Sequence, residues 1–166
     1  MMNVGTKIDH RPWPMDDHEA MLEFAKGKES ALEFGPGAST LTFFIAGVKI
    51  VHSYEYDPVW KERAIRLLRP SVPQGVEFEV YDFKPVDYGF VKKLPRYDIA
   101  LVDSPKGTRN PPGQPSPRLI TLKWALACAD TVLLHDCDRP GEQLAVQMAG
   151  VMLTEKLTEK LWRVSL

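Results

Sequence analysis

Long apolar segments are absent from this sequence. No part of its 166 residues approaches the roughly 20 consecutive apolar residues that span a bilayer. Residues 1–10 also lack the apolar centre of a secretory signal. From these absences we expect a cytoplasmic protein without membrane contacts.

An excess of charge is missing as well. The 21 basic residues nearly balance the 22 acids, and the formal net charge is -1. Such a balance creates no global basic field that would attract nucleic acid. We therefore expect a small molecule as the partner and no nucleic acid, and the sequence leaves open whether the chain forms an oligomer.

Cysteine is scarce. The two residues, Cys128 and Cys137, are too few for a disulfide framework and form no CxxC pair, so we expect reduced, partly buried thiols. With 44% apolar residues the chain can build a hydrophobic core instead. Its length suits a single domain over 1–166.

The apolar periodicity alternates between strand and helix, which is typical of a parallel sheet covered by helices on both faces. An N-terminal extension and helix occupy 1–30, and an α/β core occupies 31–166. Residues 153–166 predict two antiparallel strands at one sheet edge, with a helix through TEKLTEKL as the alternative. The other strands are predicted at 31–34, 49–54, 76–81, 99–102 and 131–134, and helices at 15–25, 39–46, 58–68, 87–93, 119–129 and 141–149.

A proline-rich loop spans 104–118. Its five prolines exclude a helix or a central strand, and loops of this length are usually functional or disordered. Lys106, Arg109 and Arg118 would suit a carboxylate or phosphate on a substrate, and solvated surface charges are the alternative. Near the N-terminus, Trp13 is expected either to fold over a ligand as a lid or to pack on the core.

The most informative segment is Glu33-Phe34-Gly35-Pro36-Gly37-Ala38-Ser39-Thr40, at a junction from strand to helix. Glycine permits the bend and lets a ligand approach the backbone closely, and the first helical turn offers unpaired N–H groups. The pattern lacks the third glycine of the dinucleotide fingerprint. The carboxylate of Glu33 would repel a pyrophosphate but suits a ligand that carries an ammonium group. The alternative is a tight turn without a ligand.

Two further acids end neighbouring predicted strands. Glu55 follows Gly37 by 18 residues, a position from which an acid accepts hydrogen bonds from ribose hydroxyls. Asp82 could receive an adenine amino group, and a turn aspartate is an equal alternative. Asp57 is expected mainly to cap the next helix. The ligand prediction depends on one arrangement, in which Glu33, Glu55 and Asp82 face a shared hollow.

In these motifs the sequence resembles class I S-adenosylmethionine (SAM)-dependent methyltransferases over about residues 31–166. The glycine segment is similar to the family's first motif, and residues 97–103 to the strand that faces the methyl donor. The resemblance implies a Rossmann-like three-layer α/β/α sandwich, with a mostly parallel sheet and an antiparallel C-terminal edge hairpin. It also implies SAM as the cofactor and a cofactor site formed by Glu33, Gly35, Gly37, Ser39, Thr40, Glu55, Asp82 and Asp103.

Catalytic groups are expected at the carboxyl ends of the strands, where open α/β sheets bind their ligands. Methyl transfer needs an aligned nucleophile and often a base. The groups that follow the predicted strands 99–102 and 131–134 are therefore the candidates, namely Asp103, Lys106, His135 and Asp136. The alternatives are strand-end caps for the two aspartates and a partly buried, backbone-bonded imidazole for His135.

The same strand ends are similar to those of metal-dependent catechol-type O-methyltransferases. That similarity implies a divalent cation held by Asp103 and Asp136, with Lys106 as the base. Cys137 stands where that family has an amide ligand, and a thiol is a poor ligand for a hard cation. The sequence therefore allows a divalent metal without favouring one.

Taken together, the motifs predict a SAM-dependent methyltransferase that acts on a small-molecule acceptor. A SAM-binding protein without transfer activity on the same scaffold is the alternative. An NAD-dependent oxidoreductase is disfavoured by the missing third glycine and by the acid at Glu33.

Overall fold

The computed structural model of the protein describes residues 13–84, 94–106 and 113–166. Within these ranges, no helix has both the length and the apolar character that crossing a membrane requires. The predicted helix at 87–93 and the predicted substrate-side cation Arg109 lie outside the described residues.

One seven-stranded sheet organises the described residues, in the order β3-β2-β1-β4-β5-β7-β6. β7 runs antiparallel to β5 and β6, and the remaining neighbours are parallel. This topology confirms the predicted Rossmann-like sandwich and the C-terminal hairpin, not the alternative helix. The strands are β1 (Ser30–Phe34), β2 (Ile50–Glu55), β3 (Glu77–Asp82), β4 (Tyr97–Val102), β5 (Ala129–Leu134), β6 (Leu153–Lys156) and β7 (Trp162–Ser165).

The helices begin and end close to where the apolar periodicity predicts them. Asp57 caps one of them by accepting hydrogen bonds from the N–H groups of Val59 and Trp60, as expected from the proline that follows it. The α-helices of the described residues are α1 (Met15–Ala25), α2 (Ala38–Ala46), α3 (Pro58–Leu68), α4 (Arg118–Cys128) and α5 (Pro140–Met148), and a short 3-10 turn covers Arg69–Ser71.

Two apolar clusters fill the space on opposite faces of the sheet. Because side chains alternate along a strand, Ile99 and Leu101 of β4 pack with α1, α2 and α3, while Ala100 and Val102 pack with α4 and α5. Burial on both faces explains the nearly unbroken apolar run of this strand. The thiols of Cys128 and Cys137 are both free and buried, more deeply than the partial burial expected from the sequence.

The carboxyl ends of four parallel strands meet at one edge of the sheet. The register places Phe34 of β1 between Tyr54 of β2 and Val102 of β4. Backbone hydrogen bonds continue beyond the strands, from Asp103 to the Phe34 carbonyl and from His135 to the Val102 carbonyl. The loops that follow β1, β2, β4 and β5 are therefore neighbours in space, although they are far apart in sequence.

Candidate functional site

An open cavity of about 690 Å³ lies over these four strand ends. Its volume is within the roughly 300–1,000 Å³ typical of small-molecule and cofactor sites. Gly35 and Gly37 after β1, Glu55 at the end of β2, and Asp103 after β4 contribute to its wall. Other parts of the wall come from the N-terminal segment, α3, the start of α5 and the turn between β6 and β7.

The two glycines of the bend serve different needs. Gly35 has a left-handed backbone (φ 94°), and a Cβ there would lie 2.9 Å from the Cβ of Ser104, so glycine is required by the protein itself. Gly37 has an extended backbone (φ -172°), and a Cβ there would meet no atom within 4 Å. Internal packing therefore gives no reason for glycine at Gly37, whereas close approach of a ligand to the backbone would.

Glu33 lies beneath the bend and not on the cavity wall. Its side chain is fully buried, and its carboxylate accepts hydrogen bonds from the hydroxyls of Ser39 (2.6 Å), Thr40 (2.7 Å) and Ser53 (2.7 Å). Burial raises the pKa of Glu33 to about 7 against the opposing effect of these hydrogen bonds. The structure gives no support for the expected contact between Glu33 and the ligand, because hydroxyls from α2 and β2 already surround the carboxylate.

Ser39 and Thr40, the two hydroxyl residues predicted to contact the cofactor, differ in position. Ser39 lines the cavity, although its hydroxyl donates to Glu33. Thr40 is fully buried; its hydroxyl donates to Glu33 and accepts from the N–H of Gly37 at 3.0 Å. Thr40 therefore holds the bend and does not face a ligand, which corrects the sequence prediction.

Glu55 is placed as the ribose prediction requires. Its side chain is 4% exposed, and it lines the cavity. Among the described residues, both hydrogen bonds to its carboxylate go to Oε1, from the N–H groups of Tyr56 (2.8 Å) and Asp57 (3.0 Å). Burial raises the pKa of Glu55, and these backbone bonds oppose the rise. The arrangement orients the carboxylate and leaves Oε2 for a ligand.

Asp82 lies outside the cavity wall. Its side chain is 76% exposed and forms an ion pair with Lys61 of α3 at 2.7 Å. The predicted adenine contact is therefore not supported, because the side chain turns toward the helix that covers β2 and β3. Of the three acids expected to share one hollow, Glu55 alone lines it, so the expected arrangement of three acids is not found. Asp103, which follows β4, is the acid that lines the cavity beside the bend.

Arg118 connects the ends of β4 and β5 from inside the protein. Its side chain is 4% exposed, and its guanidinium contacts Asp103 at 2.9 Å and Asp136 at 2.8 Å. It also donates to the backbone carbonyls of Pro105 and His135. The sequence placed Arg118 on a loop facing a substrate. In the structure Arg118 is instead the counter-charge of the buried Asp136 carboxylate and of the partly exposed Asp103 carboxylate.

His135 extends the same network. One ring nitrogen lies 3.0 Å from Asp17 of α1, and the other lies 3.2 Å from Asp103. Burial alone would lower the pKa of His135, but Asp103 and Asp17 outweigh it and raise the pKa to about 9. In turn, burial would raise the pKa of Asp103, but His135 and Arg118 lower it to about 2. Both ring nitrogens face carboxylates and the raised pKa favours the imidazolium form, so the structure gives no support for His135 as the expected base.

The shifted pKa of His135 has a consequence for stability. A folded pKa of about 9, against the ordinary value of 6.5, corresponds to about 3 kcal/mol. This contribution is fully present below pH 6.5 and disappears as the pH rises through about 9. In urea unfolding, the wild type should exceed His135→Gln in free energy of unfolding more at pH 6 than at pH 9.5. Parallel pH profiles for the two proteins would contradict the assignment.

A divalent cation does not fit this network. Asp103, His135 and Asp136 each offer one ligand atom within 4.8 Å of the others. However, the guanidinium of Arg118 already binds both carboxylates, and Arg139 contacts Asp136 at 2.9 Å. A cation placed there would face positive charges and a protonated imidazole, which is not a metal ligand. Arg118 thus provides the positive charge that, by similarity to the catechol-type enzymes, a metal ion would have provided.

Three groups on the cavity wall are not marked by any local motif of the sequence. Trp60 of α3 lines the cavity and donates its indole N–H to the Pro36 carbonyl at 3.0 Å. Arg139 and Lys160 also line it. Their segments meet only in the folded chain.

Trp13, for which a lid and packing on the core were both open, also lines the cavity. Its ring contacts that of His135, with the ring centres 4.6 Å apart and the planes tilted by 30°.

Known proteins resemble this chain in fold but not in sequence. The sequence matches no protein-family model and no curated protein. A methyltransferase-like protein from Silicibacter pomeroyi has a similar structure, with a TM-score of 0.61 and 21% identity over 94% of this chain and 89% of that chain. A protein from Pyrococcus horikoshii, described as a candidate RNA methyltransferase, has a TM-score of 0.62 and 16% identity over 90% and 81% of the two chains.

A third structure includes the product of the cofactor. The N-terminal domain of EvdMO1, crystallised in the presence of S-adenosylhomocysteine (SAH) and D-fucose, has a TM-score of 0.55 and 16% identity over 94% of this chain and 82% of that chain. At such levels of identity the likeness establishes the fold. This chain has the Rossmann-like fold of class I SAM-dependent methyltransferases.

Proposed function

We propose that the protein is a SAM-dependent methyltransferase that acts on a small-molecule acceptor. The observation that carries this proposal is the open space above Gly37, in a cavity whose wall also holds the oriented carboxylate of Glu55. The fold and the SAH present with a structural neighbour support the same cofactor.

Different residues of the cavity wall suit different parts of the SAM molecule. The backbone at Gly35 and Gly37 would hold the methionine portion, and Glu55 would accept hydrogen bonds from the ribose hydroxyls. Asp103 takes the place expected for Glu33, because it borders the cavity beside the bend with its side chain 23% exposed. Its carboxylate would accept hydrogen bonds from the ammonium group.

When bound, SAM supplies an activated methyl group, and the protein supplies orientation and a site shielded from water. In this proposal His135 and Asp136 are positioning groups, because ion pairs with Asp17, Arg118 and Arg139 already engage them. Asp103 is assigned to the cofactor, because part of its side chain stays exposed in the cavity. The acceptor would then provide its own nucleophile and release its proton to the solvent at the open mouth of the cavity. Lys106, the fourth predicted catalytic group, lines the cavity and would contact the acceptor.

The Glu55 assignment predicts a loss of cofactor affinity. Replacing Glu55 by alanine should weaken SAM and SAH binding by at least about 1 kcal/mol, because charge-assisted hydrogen bonds to the ribose are lost. Titration calorimetry measures the change. The SAH affinity of Glu55→Gln should lie between those of the wild type and Glu55→Ala, since glutamine keeps an acceptor for the N–H groups of Tyr56 and Asp57.

Asp82→Ala is the matched control, because Asp82 ends the adjacent strand but lies outside the cavity wall. Its affinity for SAH should equal that of the wild type. If Glu55→Ala also bound SAH with unchanged affinity, Glu55 would have no place in the cofactor site.

A SAM-binding protein without transfer activity is the second candidate. The observation that favours it is the closed network at the β4 and β5 ends, in which the imidazole and both carboxylates are engaged. Transfer of labelled methyl groups to a panel of hydroxyl, amine and carboxylate acceptors distinguishes the two. Tight SAM binding without transfer to any member of the panel would favour the second candidate.

A further inference from the structure

Three cationic side chains border one end of the cavity, and we call this group the cationic wall. Lys106 follows β4, Arg139 directly precedes α5, and Lys160 lies in the turn between β6 and β7. They come from three separate segments of the chain. Of the three, only Lys106 was predicted from the sequence to face a substrate. Arg109 and Arg118 were the other two cations predicted there.

The far end of the cationic wall, at Lys160, is distant from the acid assigned to ribose. Glu55 ends β2, whereas Lys160 directly precedes Leu161 and β7. The order β2-β1-β4-β5-β7 separates the two strands by four spacings, or about 19 Å at about 4.8 Å per spacing. A ligand group held by Lys160 would therefore lie on the other side of the glycine bend from Glu55.

The positive charge of the wall is only partly cancelled from within the protein. Asp103 and Asp136 are already bound by Arg118 and His135, and Arg139 contacts Asp136 while staying 41% exposed. In the described ranges, Lys106 and Lys160 form no ion pair within 4.0 Å. Lys160 lies near Asp17 and helps to lower its pKa, but His135 and Thr158 already bind the Asp17 carboxylate.

Backbone contacts hold the wall in position. The Lys160 carbonyl accepts a hydrogen bond from the N–H of Cys137 at 2.8 Å, and its own N–H donates to the Thr158 hydroxyl at 3.1 Å. The turn between β6 and β7 is thereby joined to the end of β5. Since the backbone is fixed, binding an anion here costs little ordering beyond the long side chains themselves.

We propose that the cationic wall binds an anionic group, a carboxylate or a phosphate, on the methyl acceptor. This inference rests on the proposed methyltransferase function and adds the class of acceptor to it. Lysine and arginine side chains converging on one cavity recognise such groups through charge-assisted hydrogen bonds.

The test uses the full chain saturated with SAH, titrated by calorimetry with phenyl phosphate, benzoate and the uncharged benzyl alcohol. One of the two anions should bind alongside SAH, and benzyl alcohol should not. Which anion binds separates phosphate from carboxylate recognition. Lys160→Gln and Arg139→Gln should each weaken anion binding by about tenfold, the effect of losing one charge-assisted hydrogen bond. Lys156→Gln, in the same hairpin but exposed and away from the cavity, should leave it unchanged.

Several results would overturn the proposal. These are equal binding of benzyl alcohol, anion binding that neither Lys160→Gln nor Arg139→Gln weakens, and absence of binding for both anions. Competition between the anion and SAH would assign the cationic wall to the cofactor's own carboxylate. Binding of a single-stranded oligoribonucleotide more tightly than both probes would replace the small acceptor by RNA.

The two proposals fail in different ways. If SAH binds but neither anion does, the acceptor class is wrong and the cofactor assignment stands. If SAH does not bind but phenyl phosphate binds the free protein and depends on Lys160, the anion site stands without methyltransferase function.

Discussion

Replacing Arg118 by methionine should lower the free energy of unfolding by about 3–5 kcal/mol, the usual effect of removing one partner of a buried ion pair. The guanidinium is the shared counter-charge of Asp103 and Asp136, and Glu142 lies 3.9 Å away. Methionine suits the helix and fills a similar volume. The loss of stability should therefore come mainly from the carboxylates that are left unpaired. Urea unfolding measures it, and the melting temperature should fall by about 10 °C.

Arg163→Met is the matched control. Arg163 forms an ion pair of similar length with Glu155, at 2.9 Å, but both side chains are about half exposed. Its loss should cost at most about 1 kcal/mol. Adding Asp103→Asn and Asp136→Asn to Arg118→Met should recover part of the lost stability, because the uncompensated charges are then removed. Equal effects of Arg118→Met and Arg163→Met would show that the buried network has no special role.

Alanine substitutions at the two glycines of the bend should separate folding from ligand binding. Gly35→Ala should cost about 3 kcal/mol of stability, because it forces a left-handed backbone on alanine and brings Cβ to 2.9 Å from Ser104 Cβ. Gly37→Ala should cost about 1 kcal/mol or less, as expected for alanine at a helix N-cap. It should nevertheless weaken SAH binding at least about tenfold, since a methyl group takes the space where the ligand approaches the backbone.

Thermal unfolding and titration calorimetry on the two variants check this contrast. The informative comparison is SAH affinity in Gly37→Ala at a temperature where that variant is fully folded. Wild-type affinity there would mean that the open space above the bend does not hold the cofactor. The proposed function would then lose its main support.

Local pattern was sufficient for most of the fold. The predicted helices that lie in the described residues agree to within one residue and the first five strands to within two, because the periods of apolar residues are properties of each segment alone. The C-terminal hairpin was harder, since residues 153–166 alternate imperfectly. Pairing of β7 with β5 decides in favour of strands there, through contacts that the tail does not contain by itself.

Site residues were predicted less evenly. Glu55 and the glycine bend follow from spacing along one β-α-β unit, and both lie on the cavity wall. Glu33 and Asp82 have equally suggestive positions in sequence, yet one is enclosed by three hydroxyls and the other pairs with Lys61. Which way a strand-end side chain faces depends on neighbours that come from other segments.

The sequence by itself determined the order of strands and helices, the bend between β1 and α2, and the place of Glu55 at the end of β2. Only the tertiary structure decided the role of the charges at the other strand ends. Asp103, Arg118 and Asp136 belong to three separate segments that meet at the edge of the sheet. Whether a charge there serves a substrate, a metal or another side chain is set by burial and pairing in three dimensions.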